Sequence, residues 1–374
     1  MNTNQLMKAL RVACIVLAIS VLGLLAFGAQ LPEQALDHAN PRVQEVMKVQ
    51  EEATPDLMAM PDVLGTAVGQ DPDGELTILV FVNLEGKTPA ESARSIPKDL
   101  KGKRVTVEIT EPFRALGKPS KPVPSVPHTQ PQAAPIQLGT SGGWGYDLAN
   151  RYCCGGTLGS LIQIDGLQYI LSNYHVFESD IVAGGNGIIA STGSPVIQPG
   201  LIDVGCSVQT ALTVATLVKI SSLPTSNVDA SIAQVVPEMV RADGAILEIG
   251  TISSDTATAK LRQAVKKSGR TTGLTRSTIS GLNATISVAY DNECAGGAAF
   301  SKTFTGQIII ANSGSRFLAA GDSGSLMVQD ISVNPKAVGL LFAGSNTFAV
   351  ANPIGEVLGV ISYRMGGTAR MVGQ

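Results

Sequence analysis

Apolar positions fall into two patterns along this chain. PRVQEVMKVQEEA, opened by Asn40-Pro41, carries Val43, Val46 and Met47 at helical spacing. That spacing predicts a helix with an asparagine cap and a proline in its first turn. Two apolar runs, VLGTAVG and ELTILVFVN, then flank Asp71-Pro72-Asp73-Gly74. This is a turn signal between strands, because glycine tolerates positive φ. KRVTVEIT at 103–110 is a third strand candidate. Residues 31–116 thus read as a small α/β unit. In GKPSKPVPSVPHTQPQAAP proline recurs every two or three residues, which withholds N–H groups from helix and sheet alike. Residues 117–136 therefore read as an extended linker. From 137 the pattern changes to short β-like runs broken by glycine, serine and asparagine. Examples are GTLGSLIQI, LQYILSNYHVF, TVATLVKI, VDASIAQVV, GAILEIGTI, STISGLNATISVAY and TGQIIIA. Strands at this spacing predict a mainly β sandwich or barrel. Only the end differs, where Asn352-Pro353 opens PIGEVLGVISY and predicts a capped C-terminal helix.

The first residues stand apart from both patterns. Lys8 and Arg11 precede the apolar run VACIVLAISVLGLLAFGAQ, and Ala26 and Gly28 fit a small-x-small cleavage site. This is the layout of a secretory signal over 1–28, with an uncleaved membrane anchor as the alternative. Either reading puts the remainder outside the cytoplasmic membrane, secreted or at the cell envelope. A membrane is a partner only if the segment stays attached.

Composition sharpens the picture in two places. Hydrophobic residues make up 44% and charged residues 15%, with 40 glycines, which suits a large core joined by tight turns. The net charge of −3 advertises no basic face, so nucleic acid is not an expected partner. Beyond the leader lie Cys153, Cys154, Cys206 and Cys294. An even set in an oxidising compartment predicts disulfides, with pairing left open. A zinc site is the weaker alternative, since the spacing has no CxxC pair.

One stretch concentrates the chemistry. In AAGDSGSLMV, 319–328, Ser323 sits in a glycine turn that leads into apolar residues. A hydroxyl becomes a nucleophile when a base takes its proton, and histidine is the usual base. The chain has three histidines: His38 near the leader, His128 in the linker, and His175 in the β-rich region. His175 is the candidate base. Asp229, in VDASIAQVV, is the candidate carboxylate to orient it, since an aspartate within an apolar run needs a partner.

LSNYHV, VDASIA and AAGDSGSLMV, in that order, resemble the three catalytic segments of chymotrypsin/trypsin-like serine peptidases. KKSGRTTGLT at 266–275 resembles a segment of the α-lytic protease and streptogrisin group. With GTLGSLI and GLLFAGS, the set resembles secreted bacterial trypsin-like peptidases more closely still. The resemblance covers roughly 137–365. It departs at LSNYH for LTAAH and GDSGS for GDSGG, and neither change removes a triad residue.

The resemblance implies a chymotrypsin-like double six-stranded β-barrel with a C-terminal helix, as a peptidase domain over 137–374. It implies a serine endopeptidase acting on protein or peptide substrates without cofactor or metal. Ser323 would be the nucleophile, His175 the base and Asp229 its partner, with backbone N–H groups of Gly321 and Ser323 as the oxyanion hole. Arg270 and Asp322 would form an ion pair that holds the oxyanion loop. Phe317, six residues before the nucleophile, would lie at the base of the specificity pocket beside Leu318. Ala343 and Gly344 would supply the strand that pairs with substrate backbone. The front unit reads either as an intramolecular pro-domain or as a permanent binding module. The rival reading is a catalytically silent protease-fold binding protein at the cell envelope.

Overall fold

The computed structural model describes residues 35–115, 127–149, 152–178, 187–290 and 299–374. The expected leader, the middle of the linker and Cys294 lie outside the described residues. Residues 36–374 form one compact unit. No helix among the described residues is long and apolar enough to cross a membrane.

Two sheets carry the β-rich region. The first has eight strands. Ser160–Ile164, Leu167–Ser172, Ser231–Val235 and Leu212–Val218 are neighbours in it, and Pro195–Gln198, Thr140–Trp144 and Gly156–Leu158 extend it. Its last strand, Gly156–Leu158, runs through Gly159 back toward Ser160–Ile164, and Gly159 N donates to Leu171 O at 3.0 Å. In the second sheet Ala264–Gly269, Leu326–Gln329, Ala337–Gly344, Phe348–Pro353, Phe300–Ala311 and Gly273–Tyr290 are successive neighbours. Gly273–Tyr290 pairs in turn with Ala264–Gly269, which closes the barrel. Closure leaves those strands without free edges. The run GAILEIGTI forms no strand. Glu248 and Gly250 both adopt positive φ, so Ile246, Ile249 and Ile252 reach the core from turns.

The front segment follows its sequence pattern. A helix spans Pro41–Met58, and the Asn40 side chain accepts from Arg42 N at 2.9 Å. Strands Val63–Gln70 and Leu76–Asn83 form a hairpin about Gly74, whose φ is +85°. Lys103–Thr110 lies parallel to the second of them. Val43, Val46 and Leu57 of the helix bury against Val68, Ile78, Val80 and Val82.

This small sheet continues into the barrel. Val63–Gln70 pairs antiparallel with the long strand Gly273–Tyr290, placing Gly65 opposite Ile286 and Val68 opposite Leu282. A side chain at Gly65 would put its Cβ 2.2 Å from Thr285 O, so the close approach requires glycine. Gln50 fastens the junction, donating to Thr66 Oγ1 at 2.7 Å and accepting from Asn283 Nδ2 at 3.0 Å.

A C-terminal helix spans Ile354–Met365, but Asn352 does not cap it. Its side chain turns inward instead. It accepts from Asp229 N at 2.9 Å and donates to Gln307 Oε1 at 2.6 Å. A disulfide joins Cys153 to Cys206, and Cys154 is disulfide-bonded as well. Such bonds fit an oxidising, extracytoplasmic compartment.

Candidate active site

His175 lies in the single helical turn Tyr174–Phe177, directly after strand Leu167–Ser172. Asp229 lies two residues before the start of strand Ser231–Val235, which pairs with Leu167–Ser172. Pairing of the two strands brings the side chains together: His175 Nδ1 lies 2.6 Å from Asp229 Oδ2, with both side chains fully buried. A carboxylate only accepts, so Nδ1 carries the proton and Nε2 is the basic nitrogen. Asp229 is well supplied with donors. Tyr174 N reaches Oδ1 at 2.7 Å, and Tyr290 Oη reaches Oδ2 at 2.8 Å. Burial and the neighbouring Asp229 charge push the Tyr290 hydroxyl well above its ordinary value, so it stays a donor.

Tyr290 was not visible as a site residue in the sequence. It ends the long barrel strand, its ring stacks on Phe300 at 4.7 Å, and its edge meets the His175 ring at 6.0 Å. A tyrosine closing an alternating strand reads as core until the fold places it against Asp229.

Ser323 sits in a turn between Gly321 and Gly324, at φ +93° and +91°. A Cβ at Gly324 would lie 2.2 Å from Ser172 Oγ, so this turn packs directly on the strand that leads to His175. Ser172 Oγ donates to Thr157 O at 2.8 Å, and Thr157 N donates to Ser323 O at 2.9 Å. The Ser323 hydroxyl donates to Phe342 O at 3.5 Å. The Ser323 turn of the second sheet is thus laced to the first.

The expected Arg270–Asp322 pair does not form. The Arg270 guanidinium instead grips Asp203, with Nη2–Oδ1 at 2.5 Å and Nε–Oδ2 at 2.7 Å. Asp203 also accepts from Ser141 Oγ. Asp322 takes Lys267 as its cation, with Nζ–Oδ2 at 3.2 Å and both side chains fully buried. It accepts further from Thr271 N, Thr272 N, Thr272 Oγ1 and Ala319 N. The reason is strand geometry: Lys267 lies within Ala264–Gly269 and points inward, whereas Arg270 lies past its end. Burial lowers the Lys267 pKa and the Asp322 charge opposes that shift. His128 approaches the same place. Its Nε2 lies 2.9 Å from Ser268 Oγ and 3.4 Å from Glu248, and burial lowers its pKa.

A cavity of about 360 Å³ opens beside the Ser323 turn. Leu318, Ala319, Ala320, Gly344, Ser345 and Asn346 line it, with Glu85, Glu111, Pro112 and Arg114 of the front segment. Phe317 is not among these residues; it is 2% exposed and packs behind them with Ile308, Ile310 and Leu341. Buried Asn312 was also missed in the sequence, and it shapes this wall. Its Oδ1 accepts from Phe317 N and Leu318 N, and its Nδ2 donates to Leu318 O and Ser345 O.

Ala343 and Gly344 already have a partner. Strand Phe113–Ala115 pairs antiparallel with them, Ala343 opposite Ala115 and Gly344 opposite Arg114. The same three residues run parallel to Val288 and Ala289. Thr110 Oγ1 lies 2.7 Å from Ser345 Oγ, and Asn346 Nδ2 donates to Glu111. No group of His, Cys, Asp and Glu among the described residues is placed to hold a metal ion.

No protein-family model matches the chain, and no curated protein matches it. Among solved structures, a glutamic acid-specific serine protease using a novel histidine triad in substrate binding is similar at 16% identity and TM-score 0.40, over 63% of this chain and 100% of its own. Thermobifida fusca Protease A is similar at 17% identity and TM-score 0.40, over 64% and 99%. Cellulomonas bogoriensis chymotrypsin is similar at 18% identity and TM-score 0.37, over 64% and 99%. A closed six-stranded barrel beside an eight-stranded sheet gives the chain the mainly β fold expected from its sequence, with His175 and Asp229 in contact on the eight-stranded sheet.

Proposed function

We propose that this protein is a secreted serine endopeptidase whose front unit blocks its own cleft. The observation that carries the reading is the buried 2.6 Å contact between His175 Nδ1 and Asp229, in a pocket against which the Ser323 turn is laced. Burying this pair is worthwhile only if the carboxylate is satisfied, and three donors supply that.

In the proposed reaction His175 Nε2 takes the Ser323 proton as Oγ attacks the scissile carbonyl. Asp229 stabilises the imidazolium that forms. Backbone N–H groups of Gly321 and Ser323 receive the developing oxyanion, held in place by the Lys267–Asp322 anchor. The imidazolium protonates the leaving amine, and the chain becomes an acyl-enzyme on Ser323. Water, deprotonated by His175, then releases the acid and restores the serine. No cofactor enters any step.

Residues 31–116 act as an intramolecular pro-domain in this reading. Support comes from Phe113–Ala115, which lie on the strand expected to receive substrate backbone. The test is labelling of the full chain with a fluorophosphonate, before and after an added protease cuts within 116–126. Labelling should rise once the cut front piece has been digested away, and should vanish in Ser323→Ala and His175→Ala. A chain that takes no label in either state would overturn the reading in favour of a silent protease-fold binding protein.

A further inference from the structure

The strand lodged in the cleft carries information about what else would fit there. Its pairing with Ala343 and Gly344 is antiparallel, so its direction toward Ala115 is the direction toward Phe342. Phe342 O is the acceptor of the Ser323 hydroxyl. The segment therefore points its C-terminal end at the nucleophile, as a peptide must if its carbonyl is to be attacked.

Strand alternation then sorts its side chains. Phe113 and Ala115 share one face and are 0% and 6% exposed. Arg114 faces the other way, with its side chain 54% exposed. Phe113 joins an aromatic cluster with Tyr290, Phe304, Phe342 and Phe348, all from the barrel. The front unit contributes Ala67, Leu79 and Phe81, the last with its ring edge-on to Phe113 at 5.5 Å. Most of that pocket therefore stays when the front unit leaves. Ala115 belongs to the same cluster, which also holds Tyr174 and Tyr290, and its small side chain is buried there. Among the described residues the Arg114 side chain bonds Glu85, which belongs to the front unit.

From this placement we infer that the enzyme's substrates are extended peptides with a large aromatic or apolar residue at the position Phe113 occupies and a small residue two positions closer to the cut. The residue between is unselected, because it faces outward and its partner among the described residues departs with the front unit. This rests on the peptidase reading above and adds the substrate class.

The test uses the full chain carrying Phe113→Ser, which loosens the lodged strand. Arg114→Pro is the second variant; it removes a backbone N–H from the strand and leaves the core untouched. Two readouts are taken. Fluorophosphonate labelling reports the reactive serine. Cleavage of internally quenched peptides built on Phe-Arg-Ala-Leu-Gly-Lys, the chain's own sequence from Phe113, reports selection. Replacing the Phe position by Ser, or the Ala position by Trp, should each lower kcat/KM by at least about tenfold, the scale of one lost apolar burial. Replacing Arg by Glu should change it by less than about threefold, well within one tenfold step. A labelled enzyme that cleaves all of these peptides alike overturns the substrate class and leaves the peptidase reading standing. Absence of labelling in both variants overturns the peptidase reading, and the substrate class falls with it.

Discussion

Tyr290 shows what one residue contributes to the site. Its hydroxyl shares Asp229 Oδ2 with His175, so it helps fix the carboxylate that fixes the imidazole. Tyr290→Phe removes one charge-assisted hydrogen bond, worth about 1.5–3 kcal/mol. The expected result is a fall of about tenfold or more in kcat with little change in KM, measured on a quenched peptide; an unchanged kcat would show the hydroxyl to be idle. Lys267→Met leaves Asp322 buried without its cation and should cost about 3–5 kcal/mol of stability, read from denaturant titration. Arg270→Ala should leave the Asp322 contacts intact, because its own partner is Asp203. His175 and Asp229 could be singled out from the sequence because few histidines exist and each candidate sits in a distinctive run, and the two side chains do meet. Lys267 was not. Lys266 and Lys267 are adjacent in a strand, and which one faces inward depends on a register that only the barrel sets.

At the scale of elements, strand pattern transferred well. Helix Pro41–Met58 and strands Val63–Gln70, Leu76–Asn83 and Lys103–Thr110 fall where the apolar spacing put them. What spacing could not reveal is that Val63–Gln70 would pair with Gly273–Tyr290, more than two hundred residues away. Long-range pairing depends on complementary edges rather than on local sequence. Asn352 failed for a related reason. Asn-Pro signals a helix start, but the Asp229 backbone competes for the same side chain and wins. Two expectations belong here. Gly65→Val should force the junction apart and expose the front segment to limited proteolysis. A variant as resistant as the parent would show the pairing to be dispensable. Glu178 sits buried between strands, accepting from Ile220 N, Ser221 N and Ser231 Oγ. Burial raises its pKa from 4.5, outweighing those hydrogen bonds. A carboxyl whose folded pKa is raised favours the folded state at low pH and loses that contribution as pH climbs through the folded value. Stability should therefore decline from about pH 4.5 upward, and Glu178→Gln should flatten that decline in thermal melts taken across pH.

For the whole molecule, the Cys153–Cys206 bridge clips two loops of the first sheet across a sequence separation of 53. Cys206→Ser should lower stability by about 2–4 kcal/mol, measured by denaturant titration under oxidising conditions. The linker expected over 117–136 is also partly built into the molecule. His128 is 1% exposed, and Ile136 and Leu138 are fully buried. Any cut that separates the front unit from the β-rich region and spares the latter must therefore fall before Pro127. Because the front sheet runs on into the barrel without a break, such a cut would sever the chain and leave the two pieces zipped together. If the front segment is the pro-domain proposed above, appearance of free enzyme would then be governed by a second molecule destroying the first one's inhibitor. Its time course should show a lag that shortens as protein concentration rises, the signature of an autocatalytic process and not of a first-order one.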